Sequence, residues 1–404
     1  MRVVNQRSCG LDVHKKSVVA CVITQESQET RTFGTMTADL LVLADWVTSN
    51  RVTHVAMEST GIYWKPVYNL LEGVDLTLLV VNAQHVKAVP GRKTDVKDAE
   101  WLADLLRHGL LRGSYVPNRA QRELRELVRY RAGMVRQRGQ VVQRIQKVLE
   151  GANIKLSSVA SDIVGKSGRA MLEALVAGTE DPEALASLAQ GRLQKKRPAL
   201  VAAMQGLLGH HQRLMLQSQL RHLDFLDNEV EKMGQEVEER MRPFEPALAL
   251  LDTIPGVGRR AAEQLLAEIG TDMSRFPTSR HLASWARVCP GNNESAGKRK
   301  SGWTGGGNPW LRATLIESAW SAARCHQTYL AAQYRRIAAR RGGKRAGIAV
   351  AHTILVMAYR MLSDGCSYQD LGPNYFDERD REAVANRAIR RLQRLGYKVT
   401  VDAA

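Results

Sequence analysis

The 404-residue chain is 44% hydrophobic and carries 58 Lys and Arg against 41 Asp and Glu, a formal charge of +17. That length and apolar content exclude a globally disordered chain and leave room for two or three domains, while the one-sided charge calls for a polyanionic partner, because Lys and Arg displace counterions condensed on phosphates. Cys9, Cys21, Cys289, Cys325 and Cys366 form no Cys-x-x-Cys pair, which excludes a zinc ribbon or a disulfide framework and suits a reducing cytoplasm.

No apolar run approaches the roughly 20 residues that span a bilayer, and the N-terminus lacks a signal-peptide apolar region. A soluble intracellular protein with no membrane partner is expected. There is no P-loop, so ATP-driven work is not indicated.

In chain order, Ser8 to Val13 and Ser17 to Thr24 read as strands joined by the polar turn His14-Lys15-Lys16, and Thr30 to Thr35 adds a third strand. Ala38 to Ser49 reads as a helix, Val52 to Met57 as a short strand ending at Glu58, Tyr63 to Glu72 as a helix and Leu76 to Val81 as a buried strand. A further helix begins around Asp95 and Asp98. The order β-β-β-α-β-α-β-α is the plan of an α/β RNase-H-like domain over residues 1–115. Past Pro117, a long basic amphipathic helix carries Arg122, Arg125 and Arg129, and a second region to Arg242 has Leu216, Leu220, Leu223, Leu226, Val230, Met233 and Val237 at coiled-coil spacing. Residues 116–246 therefore read as an antiparallel helical arm, with an uninformative stretch from Gly151 to Gly178. Residues 247–404 read as mainly α. They open with two helices joined by Pro255-Gly256-Val257-Gly258, matching a helix-hairpin-helix in which Gly256 and Gly258 let backbone amides approach a phosphate. A Gly-rich basic loop and a helix from Trp310 to Arg324 follow.

Four acids carry the chemical signal: Asp12, Glu58, Asp95 and Asp98. Asp12 lies inside an apolar strand, where a lone charge is costly and a metal or cationic partner is expected. Asp95 and Asp98, three apart on a helix, share a face. Carboxylate oxygens suit Mg²⁺ or Mn²⁺, ions that flank a phosphate in nuclease-like chemistry. Taken singly, each acid also has a structural reading; Glu58, for instance, could cap the helix near Ile62. Glu100 and Asp104 lie too far along their helix to join the set. Lys93 and Lys97 bracket Asp95 and either contact the scissile phosphate or offset acidic charge. Ser295, beside Lys298, Arg299 and Lys300, is placed to attack or bind a phosphate. A solvated loop is the competing reading, and Ser301 a competing nucleophile. His210-His211 reads as helix surface.

The blocks GLDVHKKS, AMESTGIYWKPVYNLLE, KTDVKDAEWLADLL, TIPGVGRRAAEQLLAEIG and CPGNNESAGKRKSGWTGGGNPWLR, in that order, resemble those of the DEDD transposases of insertion-sequence family one-hundred-ten, the bridge-RNA-guided recombinases. The resemblance implies a RuvC-like N-terminal domain whose metal-binding tetrad is Asp12, Glu58, Asp95 and Asp98. It also implies a C-terminal transposase domain whose nucleophile is Ser295. The implied reaction cuts and rejoins donor and target DNA: Mg²⁺ on the tetrad orients DNA and the serine forms a phosphoserine link. Further implied are a structured noncoding guide RNA, a site completed in a homodimer or dimer of dimers, and a prokaryotic, nucleoid-associated setting. Lys93, Lys97, Arg122, Arg125, Arg129, Gly256, Gly258, Lys298, Arg299, Lys300 and Arg312 are the expected nucleic-acid contacts. Two rival readings are a metal-dependent Holliday-junction-type nuclease in which water attacks, and a catalytically silent nucleic-acid-binding scaffold.

Overall fold

The computed structural model describes residues 2–59, 61–82, 98–289, 293–295, 297–301, 304 and 307–400. The chain divides into two compact units, Met1–Arg119 and Ala120–Ala404.

In the first unit, β1 (Ser8–Val13), β2 (Ser17–Ile23) and β3 (Gln28–Gly34) form an antiparallel meander. Helix α1 (Thr37–Ser49) leads to β4 (His54–Glu58), which pairs parallel to β1; α2 (Trp64–Leu71) leads to β5 (Thr77–Val81), parallel to β4. Helix α3 (Asp98–Arg107) follows, and the sheet order is β3-β2-β1-β4-β5. The described elements keep the expected order, with boundaries shifted by a residue or two. Glu58 is the last residue of β4, paired with Val81.

Period-two alternation separates the two faces of the sheet. Cys9, Leu11, Val13, Val18, Ala20, Val22, Val55 and Met57 pack on one side with Leu40, Leu43, Val47, Val67 and Leu71 of α1 and α2. On the other side Cys21 and Ile23 meet Ala99 and Ala103 of α3. Helix and sheet touch at Gly10, where an added Cβ would sit 2.1 Å from the Ala99 carbonyl oxygen and 2.5 Å from the Ala103 nitrogen. Only glycine permits that approach.

In the second unit, α4 (Arg119–Gly151) enters across the boundary. Short helices α5 (Leu156–Val159), α6 (Lys166–Ala177), α7 (Pro182–Ser187) and α8 (Arg197–Ala203) precede α9 (His210–Met241). The stretch that carried no clear signal, Gly151 to Gly178, thus holds α5 and α6, whose Leu156, Met171, Leu172 and Leu175 join a core with α4 and α9. Of the expected seam, Leu216, Leu220, Leu223, Leu226, Val230 and Val237 are buried, and Met233 packs against the same core. Glu123 meets Arg240, Arg138 meets Asp227, and Gly151 lies against Gln212. One number rises along α4 as its partner falls along α9, so the two helices run antiparallel.

Helices α10 (Glu245–Asp252), α11 (Arg259–Ile269) and α12 (Ser279–Trp285) lead to the hairpin β6 (Asn293–Ser295) and β7 (Lys298–Ser301). The near absence of strand signal in this half missed that hairpin. Then come α13 (Pro309–Arg324), α14 (Tyr329–Arg341), α15 (Gly343–Asp364), α16 (Tyr375–Glu378) and α17 (Arg381–Arg394). Against the sequence expectation, α15 is long and apolar enough to cross a membrane by length and composition. Its Val350, Ala351, Ile354, Leu355 and Ala358 are buried, and α10, α12, α13 and α14 pack around it. A central core helix has the same composition for that reason.

Candidate active site

The α3 face of the sheet gathers acids at one edge. Asp12 follows Leu11, which pairs with Met57 on β4, so Asp12, one residue from the end of β1, and Glu58, the last of β4, lie near the ends of adjacent parallel strands. Both fall on the Gly10–Ala56 side, the side covered by α3, and Asp98 is in the first turn of that helix, next to the Ala99 that touches Gly10. Carboxyl ends of parallel strands are where open α/β sheets place ligand chemistry. The close approach at Gly10 brings the start of α3 to that edge.

Asp12 is 22% exposed and its Oδ2 lies 3.0 Å from His14 Nε2. The side chain beside Asp12 is thus a histidine, charged only when protonated. Glu58 is half-buried, and the N-cap residue of α2 is Tyr63, whose side chain makes no cap bond. Glu100 is engaged by Thr30 Oγ1 at 3.4 Å, and Asp104 by His108 Nδ1, also at 3.4 Å. Asp95, Lys93 and Lys97 lie outside the described residues. Among the described residues, no group of three or more His, Cys, Asp or Glu side chains is gathered tightly enough to hold a metal ion. Oxygen donors at one strand edge nonetheless have the chemistry that Mg²⁺ and Mn²⁺ take. Burial pushes the thiols of Cys9 and Cys21 up, so neither is a thiolate ligand or nucleophile at neutral pH.

In the second unit, Ser295 ends β6 opposite Lys298 of β7, across a turn that contains Gly297 at φ +71°. Ser301 stands at the other end of the hairpin, opposite Asn293. Lys298 is exposed; the side chains of Ser295, Ser301, Arg299 and Lys300 lie outside the described residues. Arg312 and Arg122 are half-buried on α13 and α4.

Three residues expected to contact nucleic acid make close contacts within the chain. Arg125 donates to the Ala267 and Glu268 carbonyls at 3.1 and 2.8 Å, and Arg129 forks onto the Glu268 carboxylate at 2.6 and 2.8 Å. These arginines neutralise the carbonyl end of α11 and a carboxylate 2% exposed. Gly256, at φ +86°, faces α13: a Cβ there would sit 2.4 Å from the Ala322 nitrogen and the Ser318 carbonyl oxygen. Its freedom serves helix packing. Gly258 precedes α11 with open space around it. Sequence reasoning missed Arg131, Glu263, Glu268 and Asn308. Arg131 Nη2 donates to Glu263 at 2.5 Å, with both side chains under 10% exposed. The available clue was that Glu263 and Glu268 interrupt the apolar face of α11 beside Leu265, Leu266 and Ile269.

Residues 9–154 match the family model for a DEDD transposase domain of the IS110 type, described as "Transposase". Residues 248–335 match one described as "Transposase IS116/IS110/IS902 family". By class, then, the chain matches transposase models in two separate stretches. A Streptomyces coelicolor protein named "Insertion element IS110 uncharacterized 43.6 kDa protein" is 31% identical over 130 residues, 32% of each chain. The chain belongs to the IS110 family of transposases; the stretch it shares with that relative spans about a third of the relative's length.

Proposed function

We propose that the protein is a DNA-cleaving and rejoining transposase whose RuvC-like domain supplies Asp12, Glu58, Asp95 and Asp98, and whose second unit supplies Ser295 as nucleophile. The observation that carries the reading is the meeting of Asp12, Glu58 and the start of α3 at one edge of one sheet face. The four carboxylates would hold Mg²⁺ or Mn²⁺, which when bound offsets the charge developing on phosphoryl oxygens. Ser295 Oγ attacks a DNA phosphorus, forming a phosphoserine bond as the P–O bond to the leaving deoxyribose breaks. Attack by a deoxyribose hydroxyl on that phosphoserine reforms a phosphodiester and releases the serine, so strands are rejoined without net hydrolysis. Exposed Lys298, opposite Ser295 in the hairpin, is suited to the phosphate charge.

The family resemblance implies a structured guide RNA besides donor and target DNA, a partner that suits the charge of +17, and it is the partner we assign. A homodimer or dimer of dimers completes the site, working inside a prokaryotic cell at the nucleoid. The test is recombination on supercoiled DNA with Mg²⁺, with and without copurified RNA. The expected result is a covalent protein–DNA adduct that disappears in Ser295→Ala and a reaction lost after RNase treatment. Cleavage and joining by Ser295→Ala at the wild-type rate points instead to water as nucleophile, and full activity without RNA removes the guide.

A further inference from the structure

Among the described residues of the second unit Glu268 is the most enclosed carboxylate, and it holds more than a helix pair. Its Oε1 accepts from Arg129 Nε, while Oε2 accepts from Arg129 Nη2 and from Asn308 Nδ2, with Arg125 Nε 3.3 Å away. The other end of the Asn308 amide is also committed: Oδ1 accepts from the Trp310 and Leu311 backbone N–H groups at 3.1 and 3.2 Å, capping α13. The Arg136 guanidinium lies 4.3 Å from the centre of the Trp310 ring in the next turn. Arg136, like Arg125 and Arg129, belongs to α4. Asn308 is therefore the root of α13 and the last residue of the segment that begins after α12 and carries the β6–β7 hairpin. Just before it, Gly307 adopts φ +150° against Arg287, where a Cβ would sit 2.6 Å from Cγ. That root is fixed by a capped helix, a buried carboxylate and a glycine contact.

We infer that Glu268 is a positioning residue which, through Asn308, fixes the C-terminal root of the segment bearing Ser295 and ties that root to the arm helix α4. This rests on the proposed role of Ser295. A cap alone would not require Glu268, because Ser or Asp at Asn308 would cap α13 as well. The donor from Asn308 Nδ2 to Glu268 is the part a cap does not explain. Without it, α13 still starts but its leading loop loses the anchor to α11 and α4.

The experiment uses the full-length protein with Asn308→Ser, which keeps a capping oxygen and removes the donor, and the paired exchange Glu268→Gln with Asn308→Asp, which reverses donor and acceptor while keeping one carboxylate in the cluster. Hydrogen exchange on peptides covering 293–301 is expected to speed up at least tenfold in Asn308→Ser, with peptides of α11 unchanged, and to return toward wild type in the exchange pair. The rate of covalent adduct formation should fall at least tenfold in Asn308→Ser and recover in the pair, with DNA affinity within twofold of wild type throughout. Unchanged exchange at 293–301 overturns the inference whatever the chemistry proves to be. An unchanged adduct rate alongside adduct loss in Ser295→Ala also overturns it while leaving the serine assignment intact. Adduct formation by Ser295→Ala sinks the serine assignment instead, and with it the claim that Glu268 positions a nucleophile.

Discussion

The two units treat carboxylates in opposite ways. In the helical unit Glu263 and Glu268 are 6% and 2% exposed, and each is held by arginine from α4, with Arg259 also on Glu263 and Asn308 also on Glu268. In the sheet unit Asp12 keeps 22% of its side chain in solvent beside a histidine that is charged only when protonated. A sealed carboxylate already held by arginine has almost no solvent-facing oxygen to offer a ligand, whereas one at a strand edge does. Enclosure with arginine marks acids that hold helices together, and edge placement marks acids available for chemistry.

The largest expected effect is catalytic. Asp12→Asn should lower strand joining on supercoiled DNA at least a hundredfold, about 3 kcal/mol of barrier, with a melting temperature near that of wild type. A large loss of melting temperature would erase the contrast, because Asp12 would then be a structural acid. Next is Arg131→Met, which leaves the buried Glu263 only the 3.3 Å contact from Arg259 Nε and should cost about 3 kcal/mol in denaturant unfolding. The double change Arg131→Met with Glu263→Leu should recover most of that loss, and failure to recover would show that the pair does more than neutralise itself.

Gly10→Ala sharpens the comparison from the sheet side. Its Cβ would press on the backbone of α3, so a stability loss of about 1–3 kcal/mol is expected. Joining activity should fall as well, because Asp98 moves with that helix. The smallest effect concerns pH. Burial lowers the pKa of His352 on α15 from its ordinary 6.5, so between the lowered and the ordinary value the unfolded chain binds more protons than the folded one. Stability is complete above about 6.5 and declines as pH falls toward the native value. His352→Gln should flatten that slope in unfolding measured from pH 7.5 to 5.

Much of the sheet unit was legible because alternation is a local signal: Leu11, Val13, Val18 and Ala20 announce their face without reference to distant residues. The arm seam was legible for the same reason, through Leu216, Leu220 and Leu223. What escaped depended on partners far along the chain. Nothing local to Arg125 or Arg129 tells a phosphate contact from a bond to Glu268, about 140 residues on. Gly256 satisfied a phosphate-binding pattern, yet its neighbour is the backbone of α13. The β6–β7 hairpin was missed because its strands are three and four residues long, too short to show a period.

Mn²⁺ binding to the full-length protein, followed by electron paramagnetic resonance, probes the acidic edge most directly. The expected result is a bound signal that Asp12→Asn, Glu58→Gln, Asp95→Asn and Asp98→Asn each weaken, while Glu263→Gln and Glu268→Gln leave it intact. An undiminished signal in Asp12→Asn and Glu58→Gln would contradict the assignment of that edge as the metal-holding site.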